Sequence, residues 1–305
     1  MRVCLPALLL VGCVDYTIQD PDDDAAEPVF VEERFVQAAL PKVDVLFVVD
    51  STGSMAGEQA SFSASAAEFV GVLDALDVSY QLGVVTTDPE DGGALLGRPW
   101  ILTGATDDPA AALAAALTVG TASPPPASGL YAAILALEDA AGLNRGFHRA
   151  DASLQVVFVS DGDDESDDWL ADPVGDFLSV LSEKGGTHAA RASAVVGDTP
   201  GGCDGSNGTA EPAPRYTEVA ESSGGVVASI CASSFGDVAA ALGDASVEWQ
   251  TSFPLQAVPA ANTLVVSVDG ARTSAWRLEG ATLIFDVAPA PDSTINVRYQ
   301  LVEAS

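Results

Sequence analysis

The residues best placed to do chemistry lie in VDVLFVVDSTGSM, Val43 to Met55. An apolar run ends in Asp50, and hydroxyls follow at every second position, Thr52 and Ser54, with Gly53 between them. A second apolar run, ASLQVVFVSDG, also ends in a carboxylate, Asp161. Two aspartates and two hydroxyls make an oxygen-only donor set. Mg²⁺ or Mn²⁺ suits such a set, because these ions take octahedral oxygen ligands and retain some water; Ca²⁺ suits it less. Gly53 lowers the cost of the sharp turn that would converge the side chains at 50, 52 and 54. A plainer use also exists, since Asp50 and Ser54 could cap a helix that begins at Met55.

The elements that must position these residues alternate along the chain. VDVLFVVD is a continuous apolar and β-branched run, as expected of a parallel strand covered on both faces. MAGEQASFSASAAEFVGVLDAL places Phe62, Ala66, Phe69, Val70 and Leu73 on one helical face. VSYQLGVVTTD, ASLQVVFVSDG, HAARASAVVG and VVASIC read as further strands, separated by helical stretches for which Asp108 and Ser128 are candidate N-caps. This alternation predicts an α/β fold, Rossmann-like and doubly wound, with a mainly parallel sheet flanked by helices. Ligands of such sheets bind outside the carboxyl ends of the strands, where Asp50 and Asp161 both fall. From Thr251 onward the pattern changes to short alternating strands with VDGAR, LEGAT and APAPDS turns, which predicts a small C-terminal antiparallel β appendage. The expected organisation is therefore a leader at 1–13, an acidic disordered tether at 14–41, an α/β domain at 42–250 and a β unit at 251–305.

DVLFVVDSTGSM resembles the metal-ion-dependent adhesion site (MIDAS) of von Willebrand factor type A (VWA) domains, whose signature is Asp-x-Ser-x-Ser. Asp50, Thr52 and Ser54 match it, with threonine in place of the first serine. The resemblance covers about Lys42 to Gln250 and implies two more ligands, an aspartate from a third loop and a threonine from a second. Asp161 matches the aspartate. Thr121, before GLYAAI, is the candidate for the threonine, with Ser123 as the fallback. The family relation implies a protein partner whose Asp or Glu completes the metal sphere, so binding rather than turnover. Charge agrees, because two carboxylates and neutral hydroxyls leave a divalent ion with no surplus negative charge from the protein.

The formal net charge of −32 excludes a nucleic-acid surface and argues against attraction to anionic lipid. MRVCLPALLLVGC has one arginine and an apolar run too short to span a bilayer, as in a signal peptide. LVGC resembles the lipobox of bacterial lipoproteins, which implies lipidation of Cys13. Val14 in place of an aspartate leans towards the outer membrane rather than inner-membrane retention. The chain as a whole resembles bacterial VWA-containing lipoproteins. With Cys4 in the leader and Cys13 lipidated, Cys203 and Cys231 remain as a disulfide pair in an oxidising compartment.

Other motifs carry less. DGDDESDD fails as an EF-hand loop, because Ser166 stands where glycine is needed and Asp172 where the closing glutamate should be; it reads as a solvated acidic loop. Asp88 reads as the start of the turn before Pro89, with a supporting role at the site as the alternative. A metal-assisted phosphohydrolase would need a lysine or histidine near Asp50, and Lys42, Lys184, His148 and His188 are not obviously placed for it. The other rival is a scaffold lipoprotein with a vestigial metal site.

Overall fold

A computed structural model of the chain describes residues 29–38, 42–139, 142–206 and 208–301. The expected leader, Cys4 and Cys13 lie outside these residues. In chain order, β1 (Phe30–Val36) is followed by β2 (Lys42–Val49), α1 (Ala56–Ser63), α2 (Ala66–Ala75), β3 (Ser79–Thr86), α3 (Pro109–Leu117) and α4 (Gly129–Glu138). Then come β4 (Ser153–Val159), α5 (Pro173–Gly185), β5 (Ala190–Val196) and a short hairpin of β6 (Cys203–Asp204) and β7 (Thr209–Ala210). α6 (Pro214–Ser223), β8 (Val227–Ser229) and α7 (Gly236–Ser246) complete the α/β part. β9 (Ser252–Pro254), β10 (Val265–Val268), β11 (Ala271–Thr273), β12 (Trp276–Glu279), β13 (Thr282–Phe285) and β14 (Thr294–Gln300) form the rest.

The central sheet has the order β3-β2-β4-β5-β8, and each of its pairings is parallel. β2 is apolar throughout because both of its faces are covered. Val43, Val45, Phe47 and Val49 pack into one layer with Phe62, Phe69 and Leu73 of α1 and α2, and with α3 and α7. Leu46 and Val48 point the other way, into a layer with α4, α5 and α6. Alternation within one strand therefore serves two hydrophobic layers. The fold is α/β, with helices on both faces of a parallel sheet, as the sequence predicts.

The helical stretch after Met55 is two helices rather than one. Ser65 Oγ donates to Phe62 O at 2.7 Å and Ser63 Oγ to Ala60 O at 3.1 Å, so hydroxyls compete for carbonyls at the break. The predicted apolar face survives it, since Phe62, Ala66, Phe69, Val70 and Leu73 are buried in one cluster. Asp108 caps α3 by accepting from Ala111 N at 3.1 Å, whereas Ser128 makes no cap bond at α4 and donates to Glu165 O instead.

The N-terminal boundary needs correction. Residues 30–36, expected within a disordered tether, form β1, which pairs antiparallel with β14 along its whole length. The β unit is thus built from both ends of the described chain: a sheet β1-β14-β10-β11 packs on a sheet β12-β13-β9. Val31 and Phe35 pack against its buried cluster of Phe253, Leu283, Phe285, Ile295 and Tyr299. The alternation in FVEERFV, exposed outside and covered inside, is the physical reason it is a strand. Glu33 points inward and is satisfied there, accepting from Tyr299 Oη at 2.7 Å and from Gln256 N at 3.1 Å. Among the described residues, no helix is long and apolar enough to cross a membrane.

Candidate metal centre

β2 and β4 end side by side, with Val49 opposite Val159, so Asp50 and Asp161 leave the sheet at the same carboxyl edge. The Asp50 N–H extends the ladder by one bond, to Val159 O at 2.9 Å. Over this edge lies a cavity of about 540 Å³, lined by Asp50, Thr52, Ser54 and Asp161, with Thr209 and Glu211 on its far side. Four of the five predicted ligands therefore meet in one place.

Asp50 is 1 % exposed and held at both oxygens. Its Oδ1 accepts from Thr52 N at 2.8 Å, and its Oδ2 accepts from Ser160 Oγ at 2.6 Å. The Thr52 and Ser54 hydroxyls lie 3.4 Å apart. Ser54 also hydrogen-bonds the Asp161 carboxyl. Asp161 is 8 % exposed. Burial pushes its carboxyl above the ordinary range, the Ser54 bond draws it down, and the Asp50 and Glu58 charges push it up again. The capping alternative is not realised: the first turns after Thr52 and Met55 carry no side-chain cap. Asp50 and Ser54 instead face the cavity.

The second loop contributes differently from expectation. Neither Thr121 nor Ser123 lines the cavity, and its wall there is Pro125 and Ala127. Ser123 is used to tie the loops together, with its N–H on Ser51 O at 3.1 Å and its Oγ on Ser51 Oγ at 2.8 Å. Three successive prolines follow, which fix φ and supply no N–H, and they carry the chain past the cavity before it can turn back to α4. The predicted second-loop hydroxyl ligand is therefore not brought to the site.

Two neighbours of the predicted ligands were not singled out by the sequence. Gln59 Nε2 donates to Asp50 O at 2.7 Å and Gly120 O at 2.8 Å, and its Oε1 accepts from Gly120 N at 3.2 Å. It clamps the first loop to the second. Glu58 is buried against the far loop, and its Oε2 has no hydrogen-bond partner.

The acidic run 161–168 is only partly a solvated loop. Asp164 is buried, and its Oδ1 accepts from Leu130 N at 2.8 Å and from Ser166 Oγ at 2.7 Å, which supplies the start of α4. Asp163 Oδ1 accepts from Arg215 N at 3.0 Å near the start of α6. Burial pushes both carboxyls upward, against the hydrogen bonds and the Arg215 charge. Asp167 lies outside, paired with Arg215 at 2.6 Å and held low by it. Asp88 accepts from Glu90 N at 2.9 Å and starts the turn, as predicted.

The residues fit a small divalent cation. Their donors are hard oxygens, and two buried carboxylates at one cavity repel one another until something positive offsets them. Buried polar groups are normally partnered, yet Glu58 Oε2 is not, and the Glu58 charge bears on Asp161. Among the described residues there is no group of three or more His, Cys, Asp or Glu that could hold a metal ion, so hydroxyls would have to share the coordination. The histidines do not contribute. His148 is bonded to Lys184 O and His188 to Glu248, on the loops that precede β4 and β5 at the opposite edge of the sheet. Lys42 opens β2 at that same edge, paired with Asp151. Cys203 and Cys231 form the predicted disulfide.

No family model matches the chain, and no curated protein does. Among solved structures, a von Willebrand factor type A protein from Catenulispora acidiphila is 14% identical, with 92% of this chain and 67% of that one covered and a TM-score of 0.40. Proximal thread matrix protein 1 from the mussel byssus is 16% identical, with 72% and 49% covered and a TM-score of 0.41. The pilus adhesin SpaC from Lactobacillus rhamnosus GG is 12% identical, with 90% and 41% covered and a TM-score of 0.32. The chain thus spans less than half the length of the mussel and pilus proteins. With TM-scores of 0.40, 0.41 and 0.32, these likenesses leave the chemistry of the cavity to rest on its own geometry.

Proposed function

We propose that this chain is a VWA-type recognition module that binds Mg²⁺ or Mn²⁺ at Asp50, Thr52, Ser54 and Asp161 and uses the ion to capture a protein partner. The observation that carries this reading is the convergence of those four residues on one cavity at the carboxyl edge of the parallel sheet. Asp50 and Asp161 match the charge of a divalent ion, and the hydroxyls add none. A carboxylate from a partner Asp or Glu can then approach the ion, whereas without it the protein's net charge of −32 would repel that group. Binding rather than turnover is favoured because the histidines and Lys42 stand at the other end of the sheet, leaving no nucleophile–base pair at Asp50 among the described residues. The LVGC leader supports placement on the bacterial cell envelope through lipid on Cys13, in the outer membrane. The disulfide fits such an oxidising compartment.

Calorimetric titration of Mg²⁺ and Mn²⁺ into the protein tests this, alongside Asp50→Ala and Asp161→Ala. The expected result is one site, lost in both variants while their circular dichroism is retained. A wild-type protein that takes up neither ion would overturn the reading. It would leave a scaffold with a vestigial site.

A further inference from the structure

The outer face of the β1-β14-β10-β11 sheet is basic on a strongly acidic molecule. The chain has 12 lysines and arginines against 44 aspartates and glutamates, yet Arg34, Arg272 and Arg298 line one cavity of about 570 Å³ there. Strand alternation sends them outward, since Val31, Glu33 and Phe35 of β1 and Val297 of β14 face the β core. Register then aligns a row across the sheet: Arg34 faces Asn296, Asn296 faces Ser267, and Ser267 faces Arg272. The arginines at its ends are three strand spacings apart, about 14 Å between Cα atoms. Between them, Asn296 and Ser267 offer uncharged donors and acceptors. In the next row Arg298 lies over the Phe30 ring at 4.1 Å, with Glu32 on one side and Val265 on the other. The neighbouring acids do not cancel this charge. Glu32 answers Arg298 at 3.4 Å, and Asp269 accepts from Thr294 N at 2.8 Å. Arg34 donates to the neutral Thr294 Oγ1 at 3.3 Å, and Arg272 is paired with no acid among the described residues.

We propose that this face docks an acidic peptide segment of a partner protein, laid extended across the strands with carboxylates four residues apart. An extended chain advances about 3.3 Å per residue, so side chains at i and i+4 share a side and stand about 13 Å apart, near the separation of Arg34 and Arg272. The peptide backbone then meets Asn296 and Ser267. Phe30 and Val265, 44 % and 38 % exposed, suit an apolar side chain beside the acids. A short segment feels charge within a Debye length of about 8 Å, whereas a membrane plane or a second copy also meets the net charge of −32. The contact uses no metal ion and is independent of the cation reading.

The test is fluorescence anisotropy of a labelled heptapeptide, Ser-Glu-Ser-Val-Ser-Glu-Ser, titrated with the full chain in EDTA. Arg34→Gln and Arg272→Gln should each weaken binding about tenfold, as should glutamine at either glutamate of the peptide. Both arginines are exposed, so the variants should melt with wild type. Arg277→Gln, on the other β sheet, should leave the affinity unchanged. No binding to wild type at millimolar peptide would overturn the proposal, and so would equal affinity in the two arginine variants. Three other results would assign the face a different occupant and overturn it as well. Adsorption to vesicles one-third phosphatidylglycerol, without peptide binding, would mark a lipid surface. A dimer broken by Arg272→Gln would mark a second copy. Peptide binding tightened by asparagine at Asp22, Asp23 and Asp24, which lie outside the described residues, would mark the chain's own acidic segment.

Discussion

Gln59 shows how much of this site depends on single side chains outside the donor set. One amide makes three hydrogen bonds across two loops, all with backbone atoms of Asp50 and Gly120. Replacing it with leucine leaves buried carbonyls unpaired, so a loss of about 1–3 kcal/mol is expected in urea unfolding. Mn²⁺ affinity should fall as well, since the first loop loses its brace. Thr121→Ala should change neither quantity, because that hydroxyl does not reach the cavity. A fall in Mn²⁺ affinity for Thr121→Ala would show that the loop rearranges around the ion. The sequence made Asp50, Thr52, Ser54 and Asp161 visible because each aspartate closes an apolar run and the hydroxyls follow Asp50 two and four residues on. Glu58 and Gln59 were invisible because what buries them, Gly208 and Gly120, lies far along the chain and leaves no local pattern.

At the scale of elements, the sheet carries a second buried charge at its other end. Asp44 interrupts the apolar run of β2, and Arg149 answers it, with Nε on Oδ1 at 2.7 Å and N on Oδ2 at 2.6 Å. The same guanidinium also reaches Val43 O and Ser79 O, and so pins β2 to β3. Burial outweighs that pairing and raises the Asp44 carboxyl from 3.8 to about 6, with Arg149 pulling down and Asp151, itself paired with Lys42, pushing up. Because the folded value lies above the unfolded one, the proton stabilises the fold. Its contribution is whole below about pH 4 and is lost as pH rises through about 6, a change on the order of 3 kcal/mol. Comparing wild type with Asp44→Asn by urea unfolding at pH 4 and pH 7 should show wild type losing ground by that order. Arg149→Met should be among the costlier single changes, about 3–5 kcal/mol at pH 7, since it strands a buried carboxylate. The order of strands and helices was legible from period and turn chemistry, because each strand of the parallel sheet is long, apolar and bounded. The break between α1 and α2 was not, because two serine side chains decide it against an unbroken apolar face.

For the whole molecule, the decisive element is β1. Its seven residues follow an acidic, proline-containing segment, so composition hides them, and the partner that makes them a strand is at the far end of the chain. A protein begun at Lys42 would expose one edge of β14 and remove Val31 and Phe35 from the β core. Such a truncation should keep the α/β unit and its Mn²⁺ affinity. It should lose the protection of β14 in hydrogen exchange and associate through the open edge. A truncated protein with β14 still protected and monomeric would mean that β1 is dispensable. Gln37 and Gln250 join the units at the crossing, through Nε2 on Gln250 O at 3.0 Å and Gln250 N on Ala38 O at 3.2 Å.

That pairing also sets an order of birth. Glu33 must wait for Tyr299, 266 residues later, before its carboxylate has its phenol. A growing chain can therefore close the sheet around Asp50 and Asp161 while β1 still trails without a neighbour. The cavity at the carboxyl edge comes first and the clasp that joins both ends comes last. A chain halted short of β14 would hold a finished site beside an unpaired strand, the form most open to proteases and to mispairing with its own kind.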